Sequence, residues 1–206
     1  MPYAAAMGGR VLTVPNGLSV VRLLCVPLFV WLLFGTDERT VTYLFLGFVG
    51  GTDWVDGFIA RRYHQESDLG KILDPVADRV LLLTATVCLM IDGALPTWVG
   101  IAMLVREGLI SAATLGLALA GARRIDVTFI GKSGAFGLMM ALPGFLLVST
   151  LRPGTLHDTF SVITWTLTIG GLAFSYLAAA GYVRPGLEAL RAGRADRRAA
   201  VPDRAA

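Results

Sequence analysis

The segment TDWVDGFIARRYHQESDLGKILDPVADRV, residues 52–80, places four aspartates between two long apolar stretches. These aspartates are Asp53, Asp56, Asp74 and Asp78. Burial of an ionised carboxylate in apolar surroundings is unfavourable unless the charge is paired or binds a metal ion. The groups that compensate these four charges therefore indicate the function of the segment.

The composition of the chain is that of a membrane protein. Of its 206 residues, 55% are hydrophobic and 16% are charged, whereas soluble domains carry about 25% charged residues. The net charge of +3 is informative through its placement and does not indicate nucleic-acid binding. Cys25 and Cys88 lie in apolar runs, so we expect packing roles and neither a metal site nor a disulfide. The first apolar run is long and lacks a small-residue cleavage site, so no cleavable signal peptide is expected.

Six apolar segments are long enough to cross a bilayer, which requires roughly 20 residues as a helix. They are residues 17–35, 40–62, 71–92, 96–120, 127–150 and 159–183. Pro15, Asn16 and Gly17 are interpreted as turn and cap residues before the first helix. The prediction is an all-α fold, a polytopic integral membrane protein with six transmembrane helices in one domain, 1–183. A basic cytosolic tail, 184–206, is expected to be disordered.

Basic residues are concentrated in alternate connecting segments. The opposite loops contain only Arg39 and Arg152. The positive-inside rule therefore predicts that both termini and the 52–80 segment face the cytosol, in the cell membrane. The tail arginines are either simply solvated or contact anionic head groups of membrane lipids. The basic positions on the predicted cytosolic side are Arg10, Arg61, Arg62, Lys71, Arg123, Arg124, Arg184, Arg191, Arg194, Arg197, Arg198 and Arg204.

The spacing of the aspartates is typical of a divalent-metal site. Asp53 and Asp56 are three residues apart, and Asp74 and Asp78 are four apart, so each pair shares a helix face. Mg²⁺ and similar hard cations take carboxylate oxygens as ligands. Two such pairs on facing helices can hold two ions, an arrangement that stabilises charge on both sides of a displacement at phosphorus. Arg61 adds a cation that suits a phosphate group.

Three other interpretations of these carboxylates are open. Aspartates at helix ends can be solvated caps. Asp56 or Asp78 can form a structural ion pair with Arg61 or Arg79. Carboxylates in membranes also serve as proton relays in transporters. An ion-coupled transporter is expected to show paired half-helices or an inverted repeat, and neither is visible in the sequence.

Residues 53–78 follow the pattern D-x2-D-G-x2-A-R-x8-G-x3-D-x3-D, which resembles the full signature of the CDP-alcohol phosphatidyltransferases. The resemblance extends from TVPNGLSVVR, residues 13–22, to FIGKSG, residues 129–134. It implies a six-helix membrane enzyme, usually a homodimer, with its active site open to the cytosol. The eight fixed positions are Asp53, Asp56, Gly57, Ala60, Arg61, Gly70, Asp74 and Asp78.

The resemblance also implies roles for these residues. Asp53, Asp56 and Asp74 are expected to bind divalent metal, two ions of Mg²⁺ or Mn²⁺, and Asp78 to complete the metal site and act as the base. The donor is expected to be CDP-diacylglycerol, whose β-phosphorus is attacked by an acceptor hydroxyl while CMP leaves. The residues expected to contact the CDP moiety are Asp53, Asp56, Gly57, Ala60, Arg61, Gly70 and Asp74.

The flanking sequence resembles the branch of this family that makes phosphatidylglycerol phosphate and cardiolipin. PNGLSVVR spaces polar residues three apart on one side of the first helix, VREG puts an Arg-Glu pair inside the fourth, and IGKSG puts a lysine early in the fifth. Cations within a membrane either serve function or extend to the interface. The candidate acceptor-binding residues are Asn16, Ser19, Arg22, Arg106 and Lys132.

The position eight residues after Arg106 bears on the choice of acceptor. Relatives that use glycerol 3-phosphate typically have an arginine there, and this chain has Thr114. Glycerol 3-phosphate carries a charge of about −2, whereas the diester of phosphatidylglycerol carries about −1, so the loss of a cation favours phosphatidylglycerol. The predicted products are cardiolipin and CMP. Glycerol 3-phosphate, or another alcohol, remains the alternative acceptor.

Overall fold

The computed structural model describes residues 14–63, 70–119 and 129–181, and within these ranges it contains six α-helices and no strand. The all-α prediction is confirmed, and the helix boundaries lie close to the predicted ones. The helices are α1 Val14–Gly35, α2 Arg39–Tyr63, α3 Gly70–Asp92, α4 Thr97–Leu119, α5 Phe129–Thr150 and α6 Thr155–Gly181.

Two helices, α1 and α6, begin several residues earlier than predicted. α1 starts at Val14, so Pro15 and its neighbours lie in the first turn and do not precede the helix. A first-turn N–H has no partner within a helix, so proline is compatible with this position. α6 starts at Thr155, four residues before the predicted start, because the Asp158 N–H donates to the carbonyl of Gly154 at 3.0 Å and closes the first turn.

The far end of the bundle is closed by a turn and an ion pair. Gly93 ends α3 with φ 84°, a left-handed conformation that glycine adopts at little cost. Arg39, at the start of α2, donates to both carboxylate oxygens of Asp92 at 2.8 and 3.1 Å and to Ser149 Oγ at 3.3 Å. These contacts join α2, α3 and α5 at the end opposite the signature positions.

α1 packs against α2 and α3, α2 packs against α5, and α5 packs most closely against α6. The α5–α6 contact is close because small residues face each other along it. A Cβ added to Gly134 would lie 2.6 Å from Ser175 Oγ, and one added to Gly171 would lie 3.0 Å from the Gly134 carbonyl oxygen. Such close approach of small residues is the usual basis of helix association in membranes. The apolar core includes Phe29, Leu46, Leu81, Leu89, Val99, Leu138, Leu142 and Leu146.

The two cysteines contribute to this packing. Both are free thiols; Cys88 belongs to the apolar core, and Cys25, partly buried, packs against it. The predicted packing roles are therefore confirmed. Neither cysteine forms a disulfide.

The surface of the bundle is more apolar than that of a water-soluble protein. Every helix exposes large apolar side chains, and Phe48 and Ile91 are each 71% exposed. Exposed apolar surface on this scale suits a lipid solvent better than water. Among the described residues, two helical stretches, Ile130–Thr150 and Thr155–Gly181, are long and apolar enough to cross a membrane. The buried polar residues are Ser19, Arg22, Thr42, Thr86, Arg106, Glu107, Thr164, Thr168 and Ser175.

Candidate active site

The signature positions lie at the ends of two helices that follow each other in the chain. Asp53 and Asp56 lie in the last three turns of α2, and Asp74 and Asp78 lie in the first three turns of α3. Six residues join these helices, and a linker of that length spans at most about 25 Å. The side chains of several predicted site residues lie outside the described part of the structure, so their roles stay predictions. These residues are Asn16, Asp53, Asp56, Gly57, Ala60, Arg61, Gly70 and Asp74; Thr114 and the tail 184–206 likewise lie outside it.

Asp78, the predicted base, is held by an arginine from another helix. Nη1 of Arg22, on α1, donates a hydrogen bond to Oδ1 of Asp78, on α3. Arg22 is only 3% exposed, so its side chain lies in the protein interior. Pairing offsets the cost of burying the Arg22 charge. Arg22 is therefore placed beside the candidate reacting group.

A second set of ion pairs lies next to the first. Oε2 of Glu107, on α4, accepts a hydrogen bond from Nη1 of Arg106 at 2.6 Å. Oε1 of the same carboxylate lies 2.9 Å from Nε of Arg79. Arg106 and Glu107 are both buried. Within the described part of the chain, the buried Arg106 Nε has no hydrogen-bond partner. A buried donor without an acceptor costs about 1–3 kcal/mol, so this N–H is suited to an anionic ligand.

These five residues, Arg22, Asp78, Arg79, Arg106 and Glu107, form what we call the charged cluster. Asp78 and Arg79 are consecutive on α3, and they contact α1 and α4 respectively. The cluster thus connects three helices through one turn of α3. An ion pair between Asp78 and Arg79, one of the alternatives considered above, is not formed. Asp78 pairs with Arg22, and Arg79 pairs with Glu107.

The remaining acceptor candidates differ in their environments. Ser19 is buried on α1, three residues before Arg22 and on the same helix face. Lys132, near the start of α5, is exposed. This exposure is compatible with the alternative that its side chain extends to the membrane interface. Sequence reasoning placed Arg106 among the candidates but gave no role to its neighbour Glu107. The signal was present, since an ionisable residue inside an apolar helix needs a partner.

The donor set of the signature fits a hard divalent cation. The four aspartates provide only carboxylate oxygens, which suit Mg²⁺ and Mn²⁺, and they lie on two helices that follow each other in the chain. The described residues contain no group of three or more His, Cys, Asp or Glu able to hold a metal. Of the four aspartates, the described side chains include Asp78 alone. Metal binding therefore stays a prediction supported by ligand chemistry.

The fold and the charged cluster define an α-helical protein with paired arginines and carboxylates in its interior and a strongly apolar surface. The sequence model of the CDP-alcohol phosphatidyltransferase family matches residues 12–176. The chain belongs to this family, as the signature at residues 53–78 predicts.

Relatives of this chain carry two different names. A Mycobacterium tuberculosis protein named "Putative cardiolipin synthase" is 38% identical over 138 residues, 67% of this chain and 66%, just under two thirds, of that protein. The Streptomyces coelicolor protein named "Cardiolipin synthase (CMP-forming)" is 36% identical over 179 residues, 84% of this chain and 82% of that protein. A CDP-diacylglycerol–glycerol-3-phosphate 3-phosphatidyltransferase of Haemophilus influenzae is 35% identical over 139 residues, 65% of this chain and 75% of that protein.

Proposed function

We propose that this protein is a membrane-embedded transferase that moves the phosphatidyl group of CDP-diacylglycerol to phosphatidylglycerol, releasing CMP and forming cardiolipin. The observation that carries the proposal is the similarity to the Streptomyces CMP-forming cardiolipin synthase, which extends over 84% of this chain. The similarity to the glycerol-3-phosphate transferase of Haemophilus covers 65% of it.

The proposed reaction is a displacement at the β-phosphorus of CDP-diacylglycerol. A glycerol hydroxyl of phosphatidylglycerol forms the new P–O bond, the bridging P–O bond breaks, and CMP keeps the bridging oxygen. Asp78 accepts the hydroxyl proton at its carboxylate, and Arg22 fixes the position of that carboxylate. Asp53, Asp56 and Asp74 would hold two divalent ions together with Asp78. When bound, these ions neutralise the charge of the pyrophosphate.

The charge of the cluster supports a diester as acceptor. Its three arginines are balanced by two carboxylates, which leaves one net positive charge among these described residues. The phosphate of phosphatidylglycerol carries about −1, and that of glycerol 3-phosphate carries about −2. Thr114 adds no further cation. The lack of a further cation at position 114 therefore favours the diester over the monoester.

A second candidate is a phosphatidylglycerolphosphate synthase, which uses glycerol 3-phosphate. The observation in its favour is the 35% identity to the Haemophilus enzyme, nearly the same as the 36% to the Streptomyces protein. The buried Arg106 Nε without a partner among the described residues also suits a phosphate group from either acceptor.

The proposal includes a location in the cell membrane, with six spans and with both termini and the active site on the cytosolic side. The apolar surface on every helix supports this placement, as do the basic cytosolic positions in the sequence. Trp31 and Trp98 are exposed towards the opposite end of the bundle, where aromatic residues favour the membrane interface. A homodimer, which the family resemblance implies, belongs to the same proposal.

The experiment is an acceptor panel with purified protein. CDP-diacylglycerol is supplied with phosphatidylglycerol, glycerol 3-phosphate or other alcohols; CMP release is measured, and the lipid product is identified by mass. Cardiolipin formed with equimolar CMP is the expected result. Faster turnover with glycerol 3-phosphate would transfer the assignment to the second candidate. No CMP release with any alcohol would refute both.

A further inference from the structure

We infer that Glu107 is a positioning residue that fixes the two acceptor-facing groups of the active site, Asp78 and Arg106, relative to each other. The inference rests on the proposed function. Its basis is that the 5%-exposed Glu107 carboxylate uses both oxygens, at 2.9 Å from Arg79 Nε and 2.6 Å from Arg106 NH1.

The first of these contacts acts on Asp78 through the helix backbone. Arg79 directly follows Asp78, so the Arg79–Glu107 contact holds the turn of α3 that carries Asp78 against α4. Arg22 holds the same turn from α1. Two contacts that approach a turn from different helices fix its rotation about the helix axis, and with it the direction of the Asp78 carboxylate.

The second contact orients the cation. Nη1 of Arg106 donates to Glu107, and this contact orients the planar guanidinium. The Nε–H of Arg106 is buried and has no acceptor among the described residues. It is therefore available to a phosphate. Asp78 offers a proton acceptor and Arg106 a phosphate ligand. An acceptor substrate carries both a hydroxyl and a phosphate. Glu107 therefore sets the distance between Asp78, which accepts the hydroxyl proton, and Arg106, which binds the phosphate of the same molecule.

The test separates positioning from simple charge neutralisation and from fold stability. Glu107→Gln removes the charge at nearly constant shape. Glu107→Asp keeps the charge but is one methylene shorter, so it cannot contact both arginines at once. Asp92→Asn is the matched control, because it removes the bidentate partner of Arg39. Asp92 lies about 20 Å along α3 from Arg79, the residue that contacts Glu107.

Steady-state kinetics of the full-length enzyme in detergent micelles are measured with each substrate varied in turn. Both Glu107 variants are expected to raise the KM for the acceptor or lower kcat by about tenfold, equivalent to about 1.4 kcal/mol. The KM for CDP-diacylglycerol is expected to stay within about twofold, because its nucleotide is bound by other residues. Asp92→Asn is expected to lower Tm without changing the KM for the acceptor.

Each other outcome overturns the inference. If Glu107→Gln lowers only Tm, as Asp92→Asn does, Glu107 is structural. If Glu107→Asp matches wild type while Glu107→Gln is impaired, the role is charge neutralisation and not positioning. If Glu107→Gln fails to fold, Glu107→Asp decides alone. Wild-type protein without CMP release refutes the proposed function as well, whereas active wild type with unimpaired variants refutes only this inference.

Discussion

Replacement of Gly134 by alanine tests the close contact between α5 and α6. The added Cβ would lie 2.6 Å from Ser175 Oγ, 2.8 Å from the Ser175 backbone nitrogen and 2.9 Å from the Gly171 carbonyl oxygen. Non-bonded heavy atoms prefer separations of about 3.5–4.0 Å. The Ser175 hydroxyl can rotate away, but the two backbone atoms cannot. α5 and α6 must therefore separate by about half an ångström or more.

The net cost follows from two opposing contributions. Overpacking of this kind costs about 1–3 kcal/mol, and the higher helix propensity of alanine offsets about 1 kcal/mol of it. A net destabilisation of about 0–2 kcal/mol is expected, which corresponds to a decrease in Tm of up to about 8 °C for a protein of this size. Gly170→Ala is the control, because nothing lies within 4 Å of its added Cβ. That substitution is expected to preserve or raise Tm.

Thermal unfolding in detergent can be followed with a thiol-reactive fluorescent dye. Cys88 is buried in the apolar core, so its labelling reports unfolding. Both substitutions are made in a Cys25→Ala background, because the Cys25 thiol is only partly buried. A Tm for Gly134→Ala equal to or above that of Gly170→Ala would refute the close packing of α5 on α6.

The remaining predictions concern the chemistry. Excess EDTA should abolish CMP release and Mg²⁺ or Mn²⁺ should restore it; full activity in EDTA contradicts the metal site. Asp78→Asn should retain CDP-diacylglycerol binding but lose turnover, and a near wild-type rate would exclude Asp78 as the base. Asp53→Asn and Asp74→Asn should also weaken metal and nucleotide binding, measured by titration; unchanged affinities count against their assignment. Thr114→Arg should increase turnover with glycerol 3-phosphate, since a charged hydrogen bond contributes about 1.5–3 kcal/mol; an unchanged rate counts against a role for this position.

The sequence was sufficient to predict the helices, because long, largely apolar runs alternate with short polar segments along the chain. It was also sufficient for the family, because the spacing of the aspartates from Asp53 to Asp78 is a property of sequence alone. The start of α1 was less predictable. Pro15 is equally compatible with a turn before a helix and with the first turn itself, and the sequence does not distinguish them.

The ion pairs were not predictable in detail. Asp78 pairs with Arg22, which lies 56 residues away in sequence, and its neighbour Arg79 turns to Glu107. Both arginines satisfy the general requirement for a cation near a buried carboxylate. Which arginine meets which carboxylate depends on the rotation of α3 relative to α1 and α4, and that rotation is set by packing across the whole bundle. Hydrophobic periodicity alone does not determine it.

The contacts of Arg39 with Asp92 and Ser149 make the far end of the bundle a pivot. Arg39 starts α2 and Asp92 ends α3, so a tilt between these helices leaves this end nearly still and moves the opposite end most. Asp53 lies 14 residues, about 21 Å, along α2 from Arg39. A tilt of about 5° therefore displaces it by about 2 Å, comparable to the length of a metal–oxygen bond. The packing of α2 on α5 and of α3 on α1 resists such a tilt, so this packing, and not the ion pair at the far end, would maintain the distances among the predicted metal ligands.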